Sequence, residues 1–423
     1  MTIIDTVVIG AGHAGLAVSR LLTGAGHDHV VLDRGRVAER WRTERWDSLH
    51  LLTPSWMTRL PDWEYTGPDQ DGYLSAAQFV DHLEGYAASF GVPLVGGTTV
   101  EDVRVSGHDG GRYAVATDTG TWHARNIVVA TGPHGTPHVP DGLSRVAVVT
   151  SSEYRNPVQL EDGGVLVVGA SASGVQIADE LSRAGREVIL AVGRHTRMPR
   201  RYRGLDIFWW LETTGRLART IDEVPDVAAA RRETSLQLVG RSEAGRSALD
   251  LDLAVLQQRG VRLAGRLTGI SRHTARFRND LHDKVAAADG VLSHFLDGVD
   301  RYVERAGLTQ EVWPGVRPRP VEVTSSPSRL DLRAERIGTV LVAAGHRPHH
   351  PWLQLPITEP DGSIRQYRGV TDAPGVYTIG QPFQHRRDSA MIDGARHDAR
   401  LLVDHLLSRA EGARRTTSEE SLA

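Results

Sequence analysis

The residues of this chain whose types and spacing could do chemistry lie in two glycine-rich turns. The first reads Val7-Val8-Ile9-Gly10-Ala11-Gly12-His13-Ala14-Gly15, and the second Val165-Leu166-Val167-Val168-Gly169-Ala170-Ser171-Ala172-Ser173-Gly174. Each follows a β-branched run and precedes a helical pattern. In such a turn the first glycine permits the tight bend, the second lets the backbone approach a pyrophosphate, and the third lets helix and strand pack closely. The helix N-terminus then aims amide donors at the phosphates. Gly10, Gly12 and Gly15 fill these roles in the first turn. In the second, Gly169 and Gly174 keep the outer positions and Ser171 replaces the middle glycine. One such turn is a weak signal. Two imply two dinucleotides on one chain, the arrangement needed to pass a hydride from a nicotinamide to a flavin.

The two sites differ in the sign of their charge. Asp33 stands 23 residues beyond Gly10, close to the ~20 at which a carboxylate meets ribose hydroxyls. An acid there suits FAD or NAD and repels a 2′-phosphate. The strand after the second turn ends instead in Val192-Gly193-Arg194-His195-Thr196-Arg197. Arg194, with His195 or Arg197, would offer a 2′-phosphate a cationic fork. The expectation is FAD at the first turn and NADPH at the second.

Composition removes other chemistries. The chain has 423 residues and no cysteine, so the redox Cys pair of a disulfide reductase and thiolate-held metals are excluded. Lys284 is the single lysine, which makes Schiff-base catalysis improbable; the arginine bias reads as a GC-rich bacterial genome. A formal net charge of −3 gives no basic field for nucleic acid. No run reaches the ~18 apolar residues of a membrane helix, and the chain enters a strand at Thr6–Ile9, so a cytoplasmic protein is expected. The histidines, including adjacent His349 and His350, show no metal-ligand spacing, and no metal is expected.

These turns need βαβ units to hold them. Residues 3–9, Leu16–Leu22 and His29–Leu32 make the first; residues from Gly164, through Ile177 and Leu181, to Glu187–Val192 make the second. Between them, Ser75-Ala76-Ala77-Gln78 is a capping box with Leu74 and Phe79 as a hydrophobic staple. Strands are expected near Val100–Val105 and Tyr113–Ala116 around Gly110-Gly111, at Ile127–Val129, at Ile337–Ala344 and at Val376–Ile379. A final helix is expected from Ser389 to Leu407. The fold class is therefore α/β, with two Rossmann-like domains. An FAD domain (1–157 and 328–410) is interrupted by an NADPH domain (158–327), which carries a mostly helical insert at about 204–320. Residues 411–423 are polar and expected to be disordered.

Aromatic side chains crowd the segment from Trp41 to Tyr65, with Trp46, Trp56 and Trp63 between, and could wall a flavin ring or simply pack. Trp209 and Trp210 in the insert offer the same two readings.

Together these residues resemble the flavin-containing and Baeyer–Villiger monooxygenases, the two-dinucleotide class of NADPH-dependent flavoproteins. The resemblance rests on the first loop, Trp41-Arg42, Trp46-Asp47-Ser48-Leu49, Ala130-Thr131-Gly132, Ser151-Ser152-Glu153-Tyr154-Arg155-Asn156-Pro157, the second loop, Ala343-Ala344-Gly345, and Gly380-Gln381-Pro382 through Arg386 to Gly394-Ala395. It implies an FAD site of Gly10, Gly12, Ala14, Gly15, Asp33, Arg34, Trp41, Arg42, Thr131, Gly132, Gly380, Gln381 and Gly394. It implies an NADPH site of Gly169, Ser171, Ser173, Gly174, Arg194, His195, Arg197 and Gly345. The implied reaction is reduction of flavin by NADPH, activation of O₂ as a C4a-hydroperoxide, and oxygenation of a small organic molecule at N, S or a carbonyl. The cofactor carries that chemistry, so no catalytic side chain is assigned, and Trp46, Leu52 and Trp56 are the pocket candidates. The family's Phe, Gly and His before Tyr154 fall on Ser144, Val146 and Thr150, and its flavin-side asparagine on Leu52; both departures bear on the lifetime of the oxygen adduct. The alternative is a reductase that passes electrons to a partner or quinone. Oligomeric state is left open, a homodimer being one option.

Overall fold

The computed structural model describes residues 3–107, 111–143, 147–240, 250–323 and 325–420, with side chains described through residue 409. Ser144 and Val146 lie outside the described residues, as does Gly110.

The first sheet grows around the buried strand β1 (Ile3–Ile9), followed by α1 (His13–Gly24) and β2 (His29–Leu32). β1 pairs in parallel with β2 on one side and with the long strand β6 (Gly120–Val129) on the other. β3 (Leu94–Val95) extends the sheet beyond β2. β4 (Val100–Val105) and β5 (Tyr113–Thr117) are the expected antiparallel pair, and β5 continues onto β6. The chain then crosses to another sheet and returns to add β12 (Val376–Thr378) in parallel beside β6. Helix α2 (Ala76–Ser89) starts at the expected capping box, with Gln78 N–H donating to Ser75 Oγ and Ser75 N–H to Gln78 Oε1. Leu74 and Phe79 are both buried in the core beneath it.

The second sheet is entirely parallel, in the order β7 (Val149–Thr150), β11 (Ile337–Val342), β8 (Gly164–Val168), β9 (Val188–Ala191) and β10 (Arg262–Ala264). Its strands read as continuous apolar runs because both faces are covered. Helix α3 (Ala172–Arg183) links β8 to β9. β7 and β11 lie within the ranges 1–157 and 328–410 given to the FAD domain above, yet they hydrogen-bond into this second sheet. A strand's sheet is decided by register with its neighbours, which composition does not carry.

The region 204–320 is less helical than expected. It contains α4 (Ile207–Thr213), α5 (Val227–Arg231), α6 (Leu253–Gln258) and α7 (Leu281–Arg305), but also β10, the edge of the second sheet. Leu267–Ser271 and Thr274–Phe277 form two strands of an antiparallel three-stranded sheet with Arg329–Asp331. These strands are too short to show a period. The last helix α8 spans Ala395–Glu420, so the tail expected to be disordered continues as helix to Glu420. The packed turns at Ala399, Leu402, Val403 and Leu406 nucleate it, and extension of an existing helix costs far less than starting one. Residues 421–423 lie outside the described residues. The helix starts after the expected Ser389 because Ser389 Oγ caps the preceding turn, accepting from the amides of His385 and Arg386.

Two crossings join the halves, and they lie together: Thr136–Pro137 pairs antiparallel with His346–Arg347. No helix among the described residues is long and apolar enough to cross a membrane.

Candidate active site

Both glycine turns open into one cavity of about 2080 Å³. A drug-sized ligand fills ~300–1,000 Å³, so there is room for two dinucleotides and a substrate. The turns are built as their glycines require. Gly10 and Gly169 have φ of +114° and +111°, a region that favours glycine. A Cβ on Gly15 would fall 1.9 Å from the Gly10 carbonyl oxygen, and one on Gly174 1.8 Å from that of Gly169. These two do not line the cavity; they seat each helix against its strand. Gly12 is the opposite case, because a Cβ there meets nothing within 4 Å. Its backbone faces the cavity, together with Gly10 and Ala14.

Asp33 lines the first site. Its carboxylate accepts from Ala11 N–H at 2.7 Å and Gly35 N–H at 2.9 Å, which fixes the turn to the end of β2. An ionised carboxylate has about four acceptor positions, so capacity for ribose hydroxyls remains. Thr131, Gly132, Gly380 and Gln381 also line this part, as do Arg34, Trp41 and Trp46. Thr131 Oγ1, Gln381 Nε2 and His13 Nε2 are buried without a protein partner. Orphaned polar atoms on a cavity wall fit a polar ligand, and a flavin dinucleotide is one.

The wall between the two turns is cationic. Arg40 and Arg45 both face the cavity. Burial, and then Arg40, push Arg45 down to about 10, the mark of positive charge with too little compensation. Arg40 donates to the His134 carbonyl and to Glu44. Burial holds His13 and His346 down to about 4, and burial with Arg45 holds His134 down to about 3. His134 and His346 meet edge to face at 4.9 Å, and His346 Nε2 shares a hydrogen bond with Ser152 Oγ at 3.0 Å. Neutral imidazoles beside fixed arginines suit a diphosphate. Sequence reasoning missed Arg40, Arg45, His134 and His346; their spacing from the turns carries no signal, and folding alone collects them.

At the second turn Gly169, Ser171, Ser173, Gly345 and Arg194 line the cavity. Arg194 donates from Nη2 to the Arg232 carbonyl at 2.6 Å, and no carboxylate pairs with it among the described residues. Arg231 lies on the same wall; its Nε is buried without a partner.

Several expected residues lie elsewhere. Arg197 does not reach the cavity: its guanidinium, 2% exposed, is held by Asp252 at 2.7 Å and Asp289 at 2.6 Å. His195 also lies outside the lining. Its Nδ1 bonds the Gly193 carbonyl, and burial lowers its pKa, so it brings no charge to a phosphate. Arg42 turns away to Glu84 and the Val37 carbonyl. Gly394 serves a protein turn, since a Cβ there would sit 1.9 Å from the Asp388 carbonyl. Trp56 packs on the core between α4 and α7 with Arg59 over its ring. Trp63 and Tyr65 pack on the first core, and of the insert's aromatics Phe208 rather than Trp209 or Trp210 reaches the cavity. Thr150 is buried and capped by Glu153, with its hydroxyl 2.7 Å from Oε2.

An apolar part of the same cavity is lined by Leu51, Leu52, Phe208, Leu211, Leu217 and Met391. Leu52 comes from the first half of the chain, Phe208 and Leu211 from α4.

Fold and site thus define a two-dinucleotide α/β oxidoreductase, and the comparisons with known proteins agree. Residues 7–212 match the family model described as pyridine nucleotide-disulphide oxidoreductase. The chain is 30% identical over 414 residues to an uncharacterised CzcO-like oxidoreductase of Geobacillus kaustophilus, covering 96% of this chain and 99% of that one. It belongs to that oxidoreductase family. It is also similar to the rice indole-3-pyruvate monooxygenase YUCCA1, 35% identical over 209 residues, 48% of this chain and 51% of that one. The flavin-containing monooxygenase from Stenotrophomonas maltophilia shares the fold, with a TM-score of 0.63 at 20% identity, covering 97% of this chain and 100% of that one. Family and site together make this an oxidoreductase with two dinucleotide-binding turns. Without cysteine, it cannot carry the dithiol step in its family model's description.

Proposed function

We propose that this protein is an NADPH-dependent FAD monooxygenase that oxygenates a small organic molecule at N, S or a carbonyl carbon. One observation carries the reading: both glycine turns and the apolar chamber of Leu52, Phe208, Leu211, Leu217 and Met391 belong to one continuous cavity. A reductase that serves a protein partner has no need of an apolar substrate space continuous with both dinucleotide turns.

Bound FAD would supply both the acceptance of a hydride and the activation of oxygen. The chain's own residues bind, orient and exclude water. Gly12 allows the diphosphate to approach the amides of α1, and Asp33 holds the turn and meets the ribose. Arg40 and Arg45 balance phosphate charge. Arg194 selects the 2′-phosphate of NADPH. Thr131 Oγ1 and Gln381 Nε2 offer hydrogen bonds to the polar edge of the flavin. The leucines, Phe208 and Met391 keep the acceptor's surroundings dry, where water would otherwise divert oxygen to peroxide. The similarity to an indole-3-pyruvate monooxygenase supports a small organic substrate.

The test is to incubate the FAD-loaded protein with NADPH, O₂ and a panel of amines, thioethers and ketones, measuring product and peroxide together. Stoichiometric oxygenated product from one class supports the reading. Peroxide alone across the panel refutes it.

A further inference from the structure

Arg200 is the one charged residue among the described residues with no exposed surface, and it sits where the two halves of the chain meet beside the apolar chamber. It follows the second glycine site in sequence, yet its Nη1 donates to the carbonyl of Leu52 at 2.7 Å. Its Nη2 donates to Asp206 Oδ1 at 2.6 Å. Asp206 is also the N-cap of α4, accepting from Phe208 N–H at 2.8 Å, and its other oxygen accepts from the Tyr73 hydroxyl at 2.8 Å. The guanidinium lies 4.6 Å from the Tyr73 ring centroid and 5.5 Å from that of Phe208. Close by, Gly240 leaves no space between the backbones, since a Cβ there would fall 1.9 Å from the Leu51 carbonyl.

A fully buried cation is costly unless its neighbours compensate it. Here the contacts tie together segments that line the same chamber: Leu52 directly, and α4 through its N-cap Asp206 and through Phe208. Leu52 belongs to one wall, and Phe208 and Leu211 of α4 to the other. Only the planar fork of an arginine can reach a backbone carbonyl and a carboxylate while stacking on two rings; a lysine offers one point of charge.

We propose that Arg200 is a positioning residue that fixes the Leu52 segment against α4 and so keeps the oxygenation chamber closed to water. The consequence for coupling rests on the monooxygenase reading; the geometric brace does not. Because the chain contains no cysteine, Leu52→Cys provides a single thiol on the chamber wall. In the FAD-loaded protein its reaction with a small aromatic disulfide should be slow, and Arg200→Met in that background should raise the rate at least tenfold. In the chain with Leu52 intact, Arg200→Met should raise the peroxide formed per NADPH at least fivefold while anaerobic flavin reduction by NADPH stays within twofold. Arg200→Lys should fall between the two. Tyr73→Phe keeps the charge and the fold and should show the same direction at smaller size, so the test survives if Arg200→Met fails to fold. Unchanged thiol reactivity and unchanged peroxide fraction in Arg200→Lys and Tyr73→Phe would overturn the proposal. A parental protein that oxygenates nothing refutes the monooxygenase reading, while the thiol rates still decide the brace.

Discussion

Gly12 and Gly15 stand three residues apart in one turn, and the structure gives them opposite roles, which a pair of alanine substitutions separates. At Gly15 the new Cβ would fall 1.9 Å from the Gly10 carbonyl oxygen and 3.2 Å from the Ala130 side chain. Backbone cannot yield cheaply, so α1 must move off β1. Overpacking of this kind costs ~1–3 kcal/mol, or several degrees in Tm, whether or not a ligand is present. At Gly12 the Cβ meets no protein atom within 4 Å, and φ is −81°, open to any residue. Loss of a glycine N-cap costs only about 0.5 kcal/mol, so the apoprotein should melt within about 2 °C of the parent. The methyl instead occupies the approach of the diphosphate to the α1 amides. Each charge-assisted hydrogen bond weakened there is worth ~1.5–3 kcal/mol, or a ~10- to 150-fold rise in the Kd for FAD. The assay is thermal melting of the apoproteins beside FAD titration by fluorescence quenching. Equal stability losses in both variants, or tight FAD binding by Gly12→Ala, would refute the division of roles.

The arginines of the second site divide in the same way. Arg194→Gln should raise the Kd for NADP⁺ by ~10- to 100-fold, one charge-assisted contact, and leave NAD⁺ unchanged in a titration of both. Arg197→Gln should leave that selectivity intact and lower Tm sharply, because it strands buried Asp252, a loss of ~3–5 kcal/mol; a change in selectivity would return Arg197 to the cofactor. Burial lowers His13, His82, His346 and His397 to about 4 and His134 to about 3, so between pH 6.5 and 4 the unfolded chain binds more protons than the folded one. Stability is complete above that window and falls as pH drops through it. Tm should decline from pH 7 to pH 5, and His82→Phe should flatten the decline, since that ring lies among Phe79 and Trp63; a flat profile contradicts this. Ser75→Ala removes the cap of α2 and should cost about 1 kcal/mol in a melt, with FAD affinity unchanged.

Much of the fold was legible because it follows local rules. The glycine turns, the capping box at Ser75 and the parallel strands β1, β2, β8 and β9 are written in adjacent residues. Sheet membership was not: β7 and β11 join the second sheet through pairing across long stretches of sequence, and β10 is too short to announce itself. At the site, contacts made by backbone were legible and contacts made by side chains were not. Gly10, Gly12 and Asp33 lie where spacing put them. Arg194 and Arg197 look alike in sequence, but buried Asp252 and half-buried Asp289 capture only one of them. Arg40, Arg45 and Phe208 reach the cavity through tertiary packing, and Arg200 joins Leu52 across 148 residues.

The central claim is a hydride relay between two dinucleotides, each held at one glycine turn of a shared cavity. The most direct measurement is to load the purified protein with FAD, mix it with NADPH without oxygen, and follow the flavin's visible absorption. The expected result is rapid bleaching by NADPH, with NADH far slower. A protein that takes up no flavin, or whose bound flavin stays oxidised under excess NADPH, would contradict the account.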